Sequence, residues 1–489
     1  MNQQPNIVFI LIDDMGWRDL GCYGSTFYET PNLDRLAAQG MRFTDAYAAC
    51  PVCSPTRASI MSGKYPATVG ITDWIDWGNW LHPCRGKLVD VPYLKQLPLT
   101  ETSLASALRE GGYQTWHVGK WHLGGEGYGP LEHGFEENVG GCKWGSPANG
   151  YFSPWKIPTL PEGEEGEYLT DRLTDEAVRL IGASDGRPFF LNLWHYAVHI
   201  PIQSPPALVE KYVAKEKSLG LDTMPVIEEG EHFPVEHLKH LRVQRRVIQS
   251  DPSYAAMIEN LDTNIGRVLQ AIADAGQADN TLVIFTSDNG GMSTADGSPT
   301  SNRPLADGKG WMYEGGTREP LLITWPGVVA PGSFCTTPIT STDFYPTLLQ
   351  AACLPLRPAQ HVDGVSFLPL LQGDTSFSRG PIFWHYPHYG NQGGTPGSSV
   401  RQGDYKLIEF FEDGRLELYH LKDDIGETHN LVAELPEITR QLHAQLRAWR
   451  ESIEAKIPWV NPEYVGVIPQ PGGEQDVASL DAATRELNH

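Results

Sequence analysis

The stretch Asn-Ile-Val-Phe-Ile-Leu-Ile-Asp-Asp, residues 6–14, joins an unbroken apolar run to two adjacent aspartates. A run of this length without polar alternation is typical of a strand that is covered on both faces of a sheet. Three further runs have the same character, at residues 114–118, 188–194 and 281–286. Amphipathic helical patterns lie between the runs, at residues 103–109 and 254–275. This alternation of buried strands and helices predicts an α/β fold with a doubly wound, mostly parallel sheet.

Polar side chains follow each predicted strand at the point where it ends. They are Asp13 and Asp14 after the first strand, Lys120 and His122 after the second, His199 after the third, and Asp288 and Asn289 after the fourth. In open α/β sheets, ligands bind beyond the carboxyl ends of the strands, so these residues predict a single site. The oxygen donors among them, without a thiolate or histidine, suit a hard cation such as Ca²⁺ or Mg²⁺ rather than Zn²⁺.

The C-terminal part of the chain differs in character from the rest. We expect a catalytic domain at residues 1–373 and a smaller α+β subdomain at residues 374–489. Within the subdomain, residues 398–421 contain short alternating stretches around an Asp413-Gly414 turn, which predicts a small antiparallel sheet. Residues 437–457 predict a closing helix, and a tail rich in proline and glycine follows it.

The composition excludes several classes of function. The 37 Lys and Arg residues against 60 Asp and Glu residues give a net charge of −23, which disfavours general binding to nucleic acid. No apolar run reaches the roughly 18 residues of a membrane span. The N-terminus lacks the order of charged, apolar and small residues of a secretory signal, which favours a cytoplasmic protein. A leader that has been removed is the alternative.

The most specific motif is Cys-Ser-Pro-Thr-Arg at residues 53–57, which continues through a helical stretch to Gly-Lys-Tyr-Pro at residues 63–66. Other motifs occur in a fixed order along the chain: LIDDMGW (11–17), TPNLDRLAAQGMRF (30–43), GKWHLG (119–124), TSDNGG (286–291) and GKGWMYEGGTREP (308–320). The set resembles the type I, formylglycine-dependent sulfatases of the alkaline phosphatase superfamily, and most of all the carbohydrate sulfatases of the N-acetylgalactosamine type. The resemblance implies an alkaline-phosphatase-like fold and a sulfuric ester hydrolase.

The resemblance also implies a modified nucleophile. Cys53 would be oxidised by a formylglycine-generating maturase, and the hydrated aldehyde would attack sulfur. A serine could accept the sulfuryl group but could not release it by elimination. The other catalytic residues implied are Arg57, Lys120, His122, His199 and Lys309. The metal ligands implied are Asp13, Asp14, Asp288, Asn289 and an oxygen of the modified Cys53, with Ca²⁺ favoured over Mg²⁺.

Two aromatic segments are candidates for substrate recognition. An insertion at residues 72–87 contains His82 and Arg85, and residues 383–394 contain Trp384, His385 and His388. Aromatic faces beside polar groups suit sugar rings, whereas the same residues could equally form an inter-domain core.

The expected substrate is a sulfated carbohydrate of the galactose or N-acetylgalactosamine type, as a small molecule or an oligosaccharide. The alternatives are a broad-specificity arylsulfatase, a phosphate or phosphonate monoester hydrolase, and a binding protein that has lost catalysis. The sequence does not predict an oligomeric state.

Overall fold

The computed structural model describes residues 4–77 and 81–465. The strands are β1 (Asn6–Ile12), β2 (Met41–Tyr47), β3 (Leu88–Val89), β4 (Gln114–Gly119), β5 (Glu137–Val139), β6 (Phe189–Trp194), β7 (Ile227–His232), β8 (Arg242–Arg246), β9 (Thr281–Ser287), β10 (Arg318–Thr324), β11 (Ser333–Cys335), β12 (Ile339–Thr340), β13 (Ile382–Tyr386), β14 (Gly397–Gln402), β15 (Tyr405–Phe410), β16 (Leu416–His420) and β17 (Trp459–Val460). The α-helices are α1 (Pro31–Gln39), α2 (Cys53–Ser62), α3 (Pro66–Val69), α4 (Leu104–Glu110), α5 (Leu169–Gly182), α6 (Pro206–Ser218), α7 (Pro252–Asp274), α8 (Glu314–Thr317), α9 (Phe344–Ala351), α10 (Leu368–Leu371) and α11 (Pro436–Ser452). Among the helices of these two ranges, none combines the length and the apolar character that a bilayer span requires.

The four predicted strands lie side by side in one large sheet. Within the described ranges this sheet has nine strands, in the order β11-β2-β10-β9-β1-β6-β4-β5, with β12 beside β2. Strand β1 is central and runs parallel to both neighbours, β6 and β9. Strand β10 runs antiparallel to β2 and β9, and the remaining pairs are parallel. The prediction of a mostly parallel α/β sheet is confirmed.

Both faces of the sheet are covered, because alternate residues of β1 enter two different cores. Val8, Ile10 and Ile12 are fully buried in a cluster that includes apolar residues of α5 and α7. Ile7, Phe9 and Leu11 are fully buried on the other face, in a cluster with residues of α4 and α9. Side chains on both faces of β1 are buried in a core, so a polar residue would be unfavourable at any of these positions. This explains the unbroken apolar run.

The C-terminal sheet is separate and antiparallel, with the strand order β13-β14-β15-β16. Asp413 and Gly414 lie between β15 and β16, and Gly414 has φ 71°. Helix α11 covers this sheet through Leu442 and Leu446 and ends at Ser452, five residues before the predicted end at Ile457. The boundary at residue 373 stays a prediction.

The beginning of the predicted tail returns to the catalytic part of the chain. Strand β17 (Trp459–Val460) pairs with β3 (Leu88–Val89), at the end of the aromatic insertion. The rest of the tail, from residue 466, lies outside the described residues.

Candidate active site

The candidate nucleophile begins a buried helix. Cys53 is the first residue of α2, and Val52 before it is extended, with φ −140° and ψ 162°. Every residue of α2 is buried, and the side chain of Thr56 donates a hydrogen bond to the Cys50 carbonyl oxygen at 3.0 Å. A helix N-terminus presents unpaired N–H groups and partial positive charge, so this position favours an anion at residue 53.

The polar residues at two strand ends meet because β1 and β9 are paired in parallel register. Ile12 lies opposite Ser287, which places the two residues that follow each strand next to each other. The backbone N–H of Asp14 donates to Asp288 Oδ1 at 3.2 Å, and Asn289 Nδ2 donates to Asp14 Oδ1 at 2.8 Å. Cys53 joins this group: its Sγ and carboxylate oxygens of Asp13 and Asp288 all lie within 4.8 Å of one another.

Each carboxylate of the group faces a buried cation. Lys120 Nζ donates to Asp13 Oδ2 at 2.7 Å, Lys309 Nζ donates to Asp14 Oδ2 at 2.7 Å, and Arg57 Nη2 lies 2.7 Å from Asp288 Oδ2. The six charges are buried together and cancel formally. A divalent cation bound here would leave two positive charges, which suits an anionic substrate.

The lysine of the GKGWMYEGG motif reaches the site because its loop docks closely against the end of β9. The Lys309 backbone N–H donates to the Gly291 carbonyl oxygen at 3.2 Å. A Cβ atom at Gly308 would lie 2.2 Å from that same oxygen, so a larger residue could not occupy this position. The glycine therefore allows the approach that brings Lys309 to Asp14.

The carboxylates of Asp13 and Asp14 differ in how far nearby positive charges offset the cost of burying them. Burial raises the pKa of Asp13 above its usual value, and Asp288 and Asp14 add to the effect against the opposing charge of Lys120. Burial also opposes ionisation of Asp14, but Lys309 and His199 outweigh it and hold the pKa of Asp14 well below its usual value. Ionised Asp13 is unfavourable because it is buried beside two other carboxylates. A cation bound at this point would stabilise its charged form.

The residues fit a hard divalent cation. Asp13 Oδ1 and Asn289 Oδ1 are buried and accept no hydrogen bond from any described residue, although buried oxygens are normally satisfied. Both belong to an oxygen-rich set that is completed by Asp14 and Asp288, and oxygen donors are the ligands that Ca²⁺ and Mg²⁺ prefer. These four side chains would hold the cation, as the sequence predicts.

Two histidines point ring nitrogens at the group, and their tautomers follow from backbone contacts. The Ile75 carbonyl oxygen lies 3.0 Å from His122 Nε2, so Nε2 carries the proton and Nδ1, which lies 3.4 Å from Cys53 Sγ, is the basic atom. The Ile200 carbonyl oxygen likewise accepts a hydrogen bond from His199 Nδ1 at 2.9 Å. The other ring nitrogen, Nε2, lies 3.6 Å from Asp14 Oδ2. Burial lowers the pKa of both imidazoles, that of His199 to about 3, and nearby lysines add to the effect.

The structure thus brings together all six residues predicted as catalytic and all the predicted metal ligands. Sequence reasoning missed the Ile75 carbonyl oxygen, which fixes the His122 tautomer, and the Trp194 ring, which lies 5.1 Å from the Arg57 guanidinium carbon. A backbone carbonyl has no residue-type signal, and Trp194 ends an apolar strand in which every residue is buried.

The structure does not place Trp384, His385 and His388 on an open surface, as a substrate entrance would require. The Trp384 indole is 1% exposed, packs with Tyr47, Cys50 and Val52, and donates to the Ala48 carbonyl oxygen at 2.8 Å. Both ring nitrogens of His385 are engaged, with Ser398 Oγ at 2.6 Å and the Lys456 carbonyl oxygen at 2.9 Å. These side chains form the inter-domain core that the sequence left as the alternative.

The remaining candidates for substrate binding, His388, His82 and Arg85, lie in different environments. His388 is fully buried, with Nδ1 bonded to Asp90 and Nε2 2.8 Å from Thr72 Oγ1, so neither nitrogen is available to a sugar. His82 is turned inward to Asp90 at 2.8 Å, which excludes it from an open binding surface as well. Arg85 is about half exposed and pairs with Glu463 at 3.0 Å, and its role in binding stays a prediction.

Replacing Trp384 with alanine is expected to lower the free energy of unfolding by about 3–5 kcal/mol, the usual cost of deleting a buried aromatic side chain. Chemical denaturation monitored by circular dichroism measures this. The matched control is Trp459→Ala, because the Trp459 side chain is 52% exposed and its loss should change stability by about 0.5 kcal/mol or less. Unchanged stability together with a selective loss of activity on sugars would restore Trp384 to the substrate entrance.

Comparison with known proteins identifies the family. Residues 5–354 match the family described as Sulfatase, and residues 306–452 match the one described as N-sulphoglucosamine sulphohydrolase, C-terminal. The chain belongs to the sulfatase family. It is a sulfuric ester hydrolase of the alkaline phosphatase superfamily, as the motifs predict.

Individual relatives resemble the sulfatase over most of its length. A sulfatase of Formosa agariphila is 34% identical, over 92% of this chain and 89% of its own. Human N-acetylgalactosamine-6-sulfatase is 32% identical, over 78% of this chain and 68% of its own. The solved structure of Ps i-CgsB in complex with k-i-k-neocarrahexaose has a TM-score of 0.73 at 26% identity, and the match covers 99% of this chain and 98% of that chain. Members of the family generally use a divalent metal and formylglycine.

Proposed function

We propose that this sulfatase releases sulfate from a sulfated carbohydrate of the galactose or N-acetylgalactosamine type, with Cys53 oxidised to formylglycine as the nucleophile. The observation that carries the proposal is the position of Cys53 at the start of α2, 3.4 Å from the basic nitrogen of His122 and beside the carboxylates of Asp13 and Asp288. The name of the related N-acetylgalactosamine-6-sulfatase and the oligosaccharide bound by Ps i-CgsB support a sugar substrate.

The modification replaces the thiol with an aldehyde. A maturase using an oxidant such as dioxygen removes the sulfur from Cβ of Cys53 and leaves a carbonyl oxygen there. Water adds across this carbonyl and gives two hydroxyl groups on one carbon. The hydroxyl groups then stand where the sulfur now stands, close to His122 Nδ1 and to the buried cations.

The first hydroxyl gives its proton to the carboxylate of Asp13, which lies beside residue 53, and its oxygen attacks sulfur while the bond from sulfur to the sugar oxygen breaks. The departing oxygen needs a proton. His199 Nε2 faces the site while the Ile200 carbonyl oxygen accepts the Nδ1–H, so the protonated imidazole would give the proton from Nε2, and the negative charge of the bound sulfate ester favours this protonated form. Lys120 and Lys309 lie beside the carboxylates and would hold the sulfate oxygens, since both ammonium groups reach the centre of the cluster.

The second hydroxyl completes the cycle. It gives its proton to His122 Nδ1, the carbonyl double bond re-forms, and the bond from Cβ to the sulfate oxygen breaks, which frees inorganic sulfate. His122 can accept that proton because the Ile75 carbonyl oxygen holds its other nitrogen in the N–H form. Arg57 remains paired with Asp288, and it lies one turn after residue 53 on α2, so its positive charge is close to the nucleophile.

Asp13, Asp14, Asp288 and Asn289 would hold the divalent cation together with an oxygen of the modified residue 53. We propose Ca²⁺, with Mg²⁺ as the alternative, because the donors are all oxygens. When bound, the cation draws negative charge from the oxygens around it and so favours both the anionic nucleophile and the sulfate.

Mass spectrometry and a substrate panel test this proposal together. The peptide that contains Cys53 should weigh about 18 Da less than its unmodified form, because sulfur and two hydrogens are replaced by oxygen. The same preparation should release sulfate from defined sulfated galactose or N-acetylgalactosamine sugars. Full activity in a preparation with unmodified Cys53 would exclude the nucleophile, and turnover of aryl sulfates without turnover of any sulfated sugar would exclude the substrate class.

Sulfate esters are expected to be hydrolysed with at least about 100-fold higher kcat/KM than phosphate esters of the same aryl alcohol, or ~2.7 kcal/mol of transition-state stabilisation. A sulfate monoester carries one negative charge at neutral pH, and a phosphate monoester about two. Three buried cations face three buried carboxylates, so the site with its divalent cation bound would be only modestly positive, and we expect it to compensate the second charge of a phosphate ester less well. Comparable kcat/KM values for the two esters would favour the phosphate or phosphonate hydrolase instead.

A further inference from the structure

We propose that His82, Cys84 and Asp90 bind a zinc ion at a second site, between the aromatic insertion and the C-terminal sheet. His82 Nδ1, Cys84 Sγ and a carboxylate oxygen of Asp90 lie within 4.8 Å of one another. The site is distinct from the active site, which has its own carboxylates, and it does not depend on the proposed sulfatase mechanism.

The donor atoms are spaced as the ligands of one small cation. His82 Nδ1 lies 2.8 Å from Asp90 Oδ2 and 3.8 Å from Cys84 Sγ. Zinc binds nitrogen and oxygen at about 2.0–2.2 Å and sulfur at about 2.3 Å, so tetrahedral neighbours are about 3.3–3.6 Å apart. The observed spacings bracket this range. A donor set of nitrogen, sulfur and oxygen selects zinc over the hard cations that suit the active site.

Two buried polar atoms without partners support the site independently. His82 Nε2 and Asp73 Oδ2 are buried and make no hydrogen bond within the described residues, although they face each other at 3.5 Å. If Nδ1 of His82 bound zinc, its proton would be on Nε2, directed at Asp73. In many zinc sites, a carboxylate accepts a hydrogen bond from the second N–H of the bound histidine. This arrangement would give both His82 Nε2 and Asp73 Oδ2 a partner.

The C-terminal domain supports the third ligand. His388, which follows β13, is bonded through Nδ1 to the other oxygen of Asp90 and is held at Nε2 by Thr72. This leaves Asp90 Oδ2 directed at His82 and Cys84. His388 is therefore a positioning residue, and it connects the site to a part of the chain that is about 300 residues away in sequence.

The charges favour a cation as well. The buried carboxylates of Asp73 and Asp90 both lie close to His82 and His388. Cys84 is buried beside them. A cation bound here would face the Asp90 carboxylate and the Cys84 sulfur together, and zinc deprotonates the cysteine ligands that it binds.

The site would hold the insertion against the catalytic machinery. Asp73 lies two residues before Ile75, whose backbone N–H donates to Ser54 Oγ at 3.1 Å and whose carbonyl oxygen holds His122. Zinc at His82, Cys84 and Asp90, with His82 Nε2 facing Asp73, would thus hold the chain at Asp73, before Ile75, and at His82, after it. The expected role is structural, and bound zinc should raise the melting temperature of the whole chain.

Titration of the full chain with cobalt tests the site directly. The protein is stripped of metal with a chelator and supplied with excess Ca²⁺ to fill the oxygen-donor site, and Co²⁺ is then added as a spectroscopic substitute for Zn²⁺. We expect one equivalent to bind with a thiolate-to-cobalt absorption band that zinc abolishes. The band should persist in Cys53→Ser and in Cys335→Ser, which removes another buried thiol, and should disappear in Cys84→Ser.

The outcome separates the alternatives even if a variant does not fold. Absence of the band in both wild type and Cys53→Ser overturns the site without any change at Cys84, and a band that survives Cys84→Ser overturns it as well. Asp90→Asn keeps the side-chain shape and should weaken Zn²⁺ binding by at least about 10-fold, in the range found for groups that orient or ligate a metal. Unchanged zinc affinity in a folded Asp90→Asn protein also contradicts the proposal.

Discussion

Replacing Cys53 with alanine is expected to lower kcat/KM on a sulfated sugar by at least about 10⁴-fold, because removal of a nucleophile leaves the contributions of binding and electrostatics alone. Steady-state sulfate release measures the effect. Cys335→Ser is the control, since Cys335 is also a buried thiol but lies on β11, at the edge of the central sheet, and it should keep the wild-type rate.

Cys53→Ser distinguishes the formylglycine mechanism from an ordinary covalent one. A serine hydroxyl in the same place can accept the sulfuryl group, but it has no second hydroxyl on the same carbon to expel sulfate. We therefore expect one equivalent of alcohol to be released, followed by arrest, with a mass gain of about 80 Da on the peptide that contains residue 53. Continuous turnover by a purified Cys53→Ser protein would show that release does not require the diol.

Replacing Asp288 with asparagine is expected to cost about 10³-fold in kcat/KM, comparable with the loss of a group that stabilises charge in a transition state. Asp288 has two functions in this cluster. It supplies one of the oxygens predicted to bind the cation. Its Oδ2 accepts a hydrogen bond from Arg57 Nε at 2.8 Å and lies 2.7 Å from Arg57 Nη2 in the same ion pair. The substitution removes a charge from the cation site and leaves a buried guanidinium without its partner.

Metal analysis separates the two functions of Asp288. The variant should contain less Ca²⁺ or Mg²⁺ than the wild type, and a high concentration of the cation should restore the part of the rate that reflects weaker binding. The part due to the unpaired Arg57 should not recover. Asp279→Asn, at an exposed position, changes the same charge and should leave both metal content and rate unchanged. Wild-type metal content and rate in Asp288→Asn would remove Asp288 from the ligand set.

Much of the candidate site was predictable because it depends on short stretches of chain. Unbroken apolar runs imply strands that are buried on both faces, and a ligand site lies at the ends of such strands. Asp13 and Asp288 are 275 residues apart, yet the parallel pairing of β1 with β9 places them together. Once the four runs are recognised as one sheet, the position of the site follows from topology.

The surroundings of the second aromatic segment, residues 383–394, were not predictable in the same way. Trp384, His385 and His388 carry aromatic and polar atoms, and composition alone gives the same expectation for a sugar-binding surface and for an inter-domain core. The difference lies in which atoms already have partners. Hydrogen bonds to Ser398, Lys456 and Asp90 engage the histidines, and such long-range contacts leave no periodicity in the sequence.

By itself, the sequence determined the α/β class and predicted the polar residues that gather at the strand ends, because local hydrophobic patterns and compact motifs specify them. The tertiary structure decided which nitrogen of His122 is basic, since a backbone carbonyl oxygen of a distant loop holds the other one. It also decided that His82, Cys84 and Asp90 meet His388 in a buried cluster rather than at a surface. Burial and side-chain partners arise from the packing of segments far apart in the chain, and for that reason only the folded molecule could reveal them.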